Sequence, residues 1–209
     1  MGENDNFEFE RRFFVSTLPD DLLADTKPSV IAQTYFLAED GYGLRIRLQA
    51  CSPKSTLPLD ADPVEALQAF EQEFDLCLLT AKGPAVGGTR YEVERELDIG
   101  IGLEMSLRGG MTIVKRRYGM WVGQDGWVID QFAGTNYPLI IAECERTSPV
   151  TDLEIPSFCV MEVTDDYRFS NDSLAHHPFS KWVDSYRQEL AAEEHRFKTD
   201  FGTNRHAKL

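Results

Sequence analysis

FEFERRFFV, at Phe7–Val15, is the stretch that decides how this chain folds. Side chains alternate between the two faces of a β-strand, so one face here carries charge and the other carries aromatic rings. The charged face would hold Glu8, Glu10 and Arg12, and the apolar face would hold Phe7, Phe9 and Phe13. A single strand of this kind could lie at a surface with its carboxylates in water, so its meaning depends on the strands that follow.

The same alternation of charged and bulky apolar residues recurs in later segments with strand character. Their charged faces hold Arg45 and Arg47, Arg90, Glu92, Glu94 and Glu96, Lys115 and Arg117, and Glu143 and Glu145. If these strands close into one barrel, the charged faces share a single interior. The apolar faces then point outward, where helices must cover them. The pattern therefore predicts a barrel with a charged interior, provided that these strands close.

The segments outside the strands are predicted to form short helices and loops. An insertion at 50–75 is expected to hold a loop and one helix on the periphery of the barrel. Residues 98–110, DIGIGLEMSLRGG, contain paired glycines but complete no GxGxxG motif, so we interpret them as a helix-like connector. Strand character is expected to end after Pro156. An amphipathic helix is predicted at 177–197, and the residues after it are expected to fray.

Length and composition limit the class of protein. The chain has 209 residues, 42% of them hydrophobic, which suits a single domain at 1–209 with its core at 7–175. A net charge of −14 argues against nucleic-acid or anionic-membrane partners, because these require a basic surface. No apolar run approaches the ~20 residues of a membrane span. The four cysteines lack CxxC spacing, which favours idle thiols in a reducing cytoplasm over a zinc site.

A charged interior needs internal pairing or a ligand, because burying an unpaired charge is costly. Carboxylates in ExE pairs supply the oxygen ligands that Mg²⁺ and Mn²⁺ prefer. Arginine and lysine supply donors for phosphate oxygens. Both sets in one barrel predict a polyphosphate bound together with a divalent metal. The alternative is a set of exposed strand faces with weak surface ion pairs, which we favour for any one pair but not for the whole set.

Several of these segments resemble the signature motifs of the CYTH, or triphosphate tunnel metalloenzyme, superfamily. The matching segments, in the order of the family, are EFERR at 8–12, RIR at 45–47, Lys82 followed by RYEVE, KRRY at 115–118, WVIDQF at 127–132, AECE at 142–145 and EVTDDYRFSNDSLA at 162–175. An ExE pair alone is a weak motif, but seven elements in order make the resemblance specific. It covers roughly residues 7–175.

The resemblance implies an eight-stranded antiparallel β-barrel, the triphosphate tunnel, with helices packed outside. It also implies roles for individual residues. The implied metal ligands, for Mg²⁺ or Mn²⁺, are Glu8, Glu10, Asp130, Glu143 and Glu145. The implied phosphate-binding residues are Arg45, Arg47, Lys82, Arg90, Lys115 and Arg117. The implied catalytic residues are Arg12, Tyr35 and Glu94.

The function implied by the resemblance is metal-dependent cleavage of the terminal phosphoanhydride of a triphosphate, with inorganic tripolyphosphate favoured. The alternatives are a thiamine or nucleoside triphosphatase, an adenylate cyclase, and a non-catalytic module that binds polyphosphate or a nucleotide. One departure bears on this choice: Arg12 stands where the family signature has lysine. Arginine keeps its proton near neutral pH, so it can orient or stabilise a group but cannot act as a base. The sequence allows a homodimer.

Overall fold

The structure is a computed structural model that describes residues 7–86, 89–193 and 197–207. The side chains of residues 7, 8, 21, 25, 85, 86, 89 and 90 lie outside the described part. No helix in these described ranges is long and apolar enough to cross a membrane.

The chain forms eleven strands and five α-helices within the described residues. The strands are β1 (Phe7–Val15), β2 (Ser29–Glu39), β3 (Tyr42–Ala50), β4 (Leu76–Val86), β5 (Thr89–Glu96), β6 (Met111–Val122), β7 (Asp125–Phe132), β8 (Ile140–Arg146), β9 (Glu154–Pro156), β10 (Cys159–Glu162) and β11 (Arg205–Ala207). The helices are α1 (Asp20–Asp25), α2 (Pro63–Ala69), α3 (Ile99–Arg108), α4 (Asn171–His176) and α5 (Val183–Ala192).

Nine of the strands form one antiparallel sheet in the order β10-β1-β5-β4-β3-β2-β6-β7-β8. Strand β1 has a divided register: residues 7–9 pair with β5, and residues 9–14 pair with β8. The β2–β3 hairpin turns at Asp40 and Gly41, which both have positive φ, as the Asp-Gly pair predicts. The prediction of an antiparallel sheet with helices, an α+β fold, is confirmed.

Helices α2 and α3 pack on the apolar face of the sheet, as the alternating pattern requires. Leu67 of α2 and Leu103 of α3 join Ile46 and Leu48 of β3 in one buried cluster. Each fully buried leucine or isoleucine contributes about 1.5–3 kcal/mol through removal of apolar surface from water. The connector at 98–110 is helical, and Gly102 lies where any side chain would collide with the thiol of Cys77. This close contact, rather than phosphate binding, explains why residue 102 is glycine.

Two expectations about the last part of the chain were wrong. Strand character does not end at Pro156, because β10 pairs with β1 through Phe13↔Glu162 and Phe14↔Met161. Residues 197–207 do not fray: β11 pairs in parallel with β9, and Phe197 packs against Phe13. Both strands are three or four residues long, too short for a periodic pattern to show in sequence.

The terminal helix is shorter than the predicted 177–197. A 3₁₀ turn at Phe179–Lys181 comes first, and α5 then spans Val183–Ala192. Trp182, with φ of −139°, separates the two. The four cysteines are free thiols, with Cys51 exposed and the other three buried.

Candidate active site

A cavity of about 100 Å³ lies against the charged face of the sheet. Its lining residues are Glu10, Arg12, Gln33, Tyr35, Gly41, Gly43, Arg45, Arg47, Lys82, Arg117, Glu143, Glu145, Ser170, Asn171 and Asp172. Apart from Gly41 in the β2–β3 turn, the residues up to 145 come from strands β1, β2, β3, β4, β6 and β8, because every second side chain of a strand faces the same side. The cavity therefore gathers side chains that are far apart in sequence.

Carboxylates gather where β1 pairs with β8. The register sets Glu10 opposite Glu145 and Arg12 opposite Glu143. Arg12 Nη2 donates to Glu10 Oε1 at 2.6 Å, and Arg12 Nε lies 3.9 Å from Glu143 Oε1. Burial and the neighbouring carboxylates of Glu10 and Asp130 raise the pKa of Glu143. This wall of the cavity thus has an excess of negative charge.

Arg12 stays charged in this setting. Burial by itself would lower the pKa of its guanidinium, but the carboxylates of Glu10 and Glu143 outweigh that effect and raise the pKa above its ordinary value. Arg12 is therefore a permanent cation that partly neutralises the acidic wall.

Basic side chains form the wall at β3 and β4. Arg45 Nη2 lies 3.3 Å from Glu92 Oε1 and 3.4 Å from Glu94 Oε1, and Arg47 Nη2 donates to Glu94 Oε1 at 2.7 Å. Lys82 forms an ion pair with Glu92. Burial would raise the pKa of Glu94, but Arg47, the Thr80 hydroxyl and Arg45 together lower it. Glu94 therefore stays ionised, and its contacts, with those of Glu92, hold these cations in place at the cavity.

Tyr35 joins the basic wall from β2. Arg45 Nη1 lies 3.5 Å from the Tyr35 hydroxyl oxygen. Burial raises the pKa of Tyr35 despite this nearby guanidinium, so the hydroxyl stays protonated and can donate a hydrogen bond.

Asp130 lies at the centre of a third, buried group of charges. Its Oδ1 accepts from Arg117 Nε at 2.7 Å, and its Oδ2 accepts from Arg117 Nη2 at 2.7 Å and from Lys115 Nζ at 2.6 Å. Lys115 also donates to Asn171 Oδ1 at 3.1 Å. Burial would raise the pKa of Asp130, but Arg117 and Lys115 outweigh it and hold the pKa well below its ordinary value.

The structure brings most of the sequence-predicted site residues to one cavity. The predicted residues that line it are Glu10, Arg12, Tyr35, Arg45, Arg47, Lys82, Arg117, Glu143 and Glu145. Three predicted residues are absent from the lining but contact residues that belong to it: Glu94 contacts Arg47, Asp130 contacts Arg117, and Lys115 contacts Asn171. A direct role for these three in metal or phosphate binding stays a prediction. The side chains of Glu8 and Arg90 lie outside the described residues.

Sequence reasoning missed the contribution of the start of α4. Its N-cap Ser170 and its first residues, Asn171 and Asp172, line the cavity, and Asp172 Oδ2 accepts from the Tyr167 hydroxyl at 3.0 Å. The available signal was the SNDSLA sequence within the closing motif, whose polar residues begin a short helix. Gln33 was also missed, since it sits in a mostly apolar strand segment.

The donors at the acidic wall suit a hard divalent cation. Glu10, Glu143 and Glu145 offer carboxylate oxygens, and the raised pKa of Glu143 shows that added positive charge would be stabilised there. Among the side chains that the structure describes, no three or more His, Cys, Asp or Glu residues lie close enough to hold an ion as they stand. Joint ligation would therefore require these carboxylates to approach one another.

Similarity to known proteins agrees with this arrangement. An inorganic triphosphatase of Acetivibrio thermocellus is 33% identical over 106 residues, which are 50% of this chain and 68% of that protein. The chain therefore belongs to the CYTH family, the triphosphate tunnel metalloenzymes. No protein-family model matches it.

Solved structures of lower identity resemble the fold. A crystal structure of an inorganic triphosphatase aligns at 24% identity and a TM-score of 0.49, covering 80% of this chain and 93% of its own. A Hippeastrum protein described as an adenylyl cyclase with dominant triphosphatase activity aligns at 19% identity and a TM-score of 0.39, covering 68% and 80%. Both scores are low, so the family assignment rests on the sequence relative alone.

Proposed function

We propose that this chain is a metal-dependent triphosphatase that cleaves the terminal phosphoanhydride of inorganic tripolyphosphate. The observation that carries the proposal is a single cavity with carboxylates on one wall and arginine and lysine on the opposite wall. A triphosphate bound with a divalent cation needs both kinds of side chain at once. The related Acetivibrio thermocellus protein, an inorganic triphosphatase, supports this choice of substrate.

The cavity is proposed to be the interior of an eight-stranded tunnel formed by β1 to β8. Support comes from β1, which pairs with β5 at one end of its length and with β8 over the rest. We propose that residues 1–209 form one CYTH domain with its core at 7–175, the insertion at 50–75 and the C-terminal helix outside. The cytoplasmic location and the absence of nucleic-acid and membrane partners stay predictions from the sequence. The homodimer stays a prediction as well.

Different residues of the cavity would have different roles in hydrolysis. Arg45, Arg47 and Lys82 would donate to the phosphate oxygens and neutralise charge on the leaving pyrophosphate. Tyr35, as a protonated hydroxyl beside Arg45, would donate to the same oxygens. In the reaction, a water oxygen bonds to the terminal phosphorus in line as the bridging P–O bond breaks. The water's proton passes to solvent or to a carboxylate, because Arg12 cannot accept it.

Glu10, Glu143 and Glu145 would hold Mg²⁺ or Mn²⁺. A bound divalent ion neutralises phosphate oxygens and fixes the substrate's orientation. Arg12, which donates to Glu10 and lies near Glu143, would balance part of the charge of these ligands and would lie beside the bound phosphate.

The test is phosphate release from tripolyphosphate, ATP and thiamine triphosphate with Mg²⁺ or Mn²⁺. We expect tripolyphosphate to be cleaved to orthophosphate and pyrophosphate, and Lys82→Met to raise KM for it. Arg12→Lys restores the family residue, so a higher kcat in that variant would show that Arg12 limits the rate. Tight tripolyphosphate binding without turnover, in both the wild type and Arg12→Lys, would identify a binding module instead. Preference for ATP or thiamine triphosphate would reassign the substrate.

Metal affinity is expected to weaken as the pH falls toward the range in which glutamate side chains take up a proton. Because its pKa is raised, Glu143 takes up a proton at a higher pH than an ordinary glutamate, and a protonated carboxyl is a poor ligand. Calorimetric titration with Mn²⁺ across this pH range measures the slope. Glu143→Gln should bind Mn²⁺ more weakly and with a shallower pH dependence. An unchanged slope in that variant would assign the titration to another group.

A further inference from the structure

Arg11 is a buried cation on the opposite side of β1 from the cavity. It is 1% exposed and lies between the cavity-lining residues Glu10 and Arg12. Its Nε and Nη2 donate to the two carboxylate oxygens of Glu162 at 2.9 and 2.7 Å. Its Nη1 donates to Asn204 Oδ1 at 2.8 Å. A guanidinium held at three nitrogens by two other chain segments has little freedom to move.

The C-terminal segment, residues 197–207, supplies part of this binding site for Arg11. The Phe201 ring lies 5.0 Å from the guanidinium carbon, a cation–π contact. The segment is itself anchored, since Asp152 N donates to Phe201 O at 2.9 Å and Thr203 N donates to Asp152 Oδ1 at 2.8 Å. Strand β11 then pairs with β9. Asn204 therefore presents its amide from a fixed backbone.

Glu162 connects Arg11 to the backbone of the next site residue. Besides Arg11, its carboxylate accepts from Thr164 Oγ1 at 2.8 Å and from Lys198 N at 2.9 Å. Thr164 Oγ1 accepts from Arg12 N at 3.2 Å, and Arg12 O accepts from Val163 N at 2.8 Å. Both backbone polar groups of Arg12 are thus bound to the segment that carries Glu162.

We propose that Arg11, bound to Glu162 and to Asn204 of the C-terminal segment, is a positioning residue for Glu10 and Arg12. Fixing the outward side chain of a strand residue also fixes the backbone from which its two neighbours point inward. The C-terminal segment thereby sets the geometry of the acidic wall without touching the cavity. This inference rests on the proposed function.

The test compares Arg11→Lys and Asn204→Ala with the wild type. Lysine keeps the charge but cannot donate to both oxygens of Glu162 and to Asn204 together. Arg11→Lys is expected to lower kcat/KM for tripolyphosphate by about 10- to 100-fold, as for residues that orient metal ligands. Asn204→Ala leaves the Arg11–Glu162 pair intact, so it should fold and show a smaller loss in the same direction. Leu67→Ala, on the buried face of α2, is the control for lost stability.

A merely structural role would give a different pattern. Calorimetric titration with tripolyphosphate gives two quantities. The binding stoichiometry reports the fraction of the protein that is folded, and the Kd reports the geometry of the site. We expect Kd to rise in Arg11→Lys and Asn204→Ala and to stay unchanged in Leu67→Ala. If Arg11→Lys lowers only the stoichiometry, as Leu67→Ala does, the proposal is overturned. A wild type that binds but does not hydrolyse tripolyphosphate refutes the proposed function alone, because Kd still tests the positioning role.

Discussion

Glu10→Gln is expected to abolish metal-dependent hydrolysis of tripolyphosphate while the chain stays folded. Glu10 lines the cavity opposite Glu145, so its carboxylate supplies both charge and ligand oxygens to the acidic wall. Glutamine keeps the shape of the side chain and removes the charge. The loss in kcat should exceed the roughly 10- to 100-fold that follows removal of a residue that only supports a ligand.

Phosphate release and Mn²⁺ binding measure this effect separately. Glu71→Gln, an exposed glutamate after α2, is the matched control and should leave both quantities unchanged. The thermal midpoint of Glu10→Gln should stay close to that of the wild type, since its partner Arg12 is still near Glu143. Retained turnover in Glu10→Gln would remove this residue from the ligand set.

Asp130→Asn is expected to cause the largest loss of stability among single isosteric changes in the site. Asp130 is 1% exposed and binds two cations, Arg117 and Lys115, which would be left without their carboxylate. Breaking a buried pair from one side costs about 3–5 kcal/mol, because the remaining charge stays desolvated. Urea unfolding of the wild type and the variant gives the difference directly.

Asp125→Asn supplies the contrast. Arg146 binds Asp125 with the same bidentate geometry, at 2.7 Å for both contacts, but this pair is more exposed to water. Its loss should cost about 1 kcal/mol or less. Equal losses in the two variants would show that burial of Asp130 does not matter.

The wild type and Asp130→Asn can also be compared across pH, to test how the contribution of Asp130 to stability depends on its ionisation. The pKa of Asp130 is lowered, so its contribution is complete above the unfolded value of about 3.9 and is lost as the pH falls below it. The stability difference between the wild type and Asp130→Asn should therefore shrink on acidification.

The strands and most of the cavity could be predicted because they depend on local pattern. Arg45 and Arg47 alternate with Leu44, Ile46 and Leu48, and this alternation alone places both arginines on one face. Cys159–Glu162 gave no such signal, because four residues are too few to show a period. Whether a strand could be predicted therefore depended on how many residues its alternating pattern covers, rather than on how regular the pattern is.

Partners across the chain could not be predicted from pattern. Lys115 sits on the charged face as expected, yet its contacts with Asp130 and Asn171 depend on how β7 and α4 pack against β6. Arg11 lies on the apolar face of β1, where an arginine has no local explanation. Its partners Glu162 and Asn204 are more than 150 positions away in sequence. Such pairings become visible only in the folded chain.

The divided register of β1 also has a consequence for how the protein folds during synthesis. Strand β1 leaves the ribosome before its partners, because the paired residues of β5, β8 and β10 lie at 89–91, 141–146 and 159–162. Until those residues emerge, the rings of Phe9 and Phe13 have no native neighbours across the sheet. Such distant pairing makes folding slow compared with that of helical domains, and it exposes an aggregation-prone strand to chaperones in the meantime.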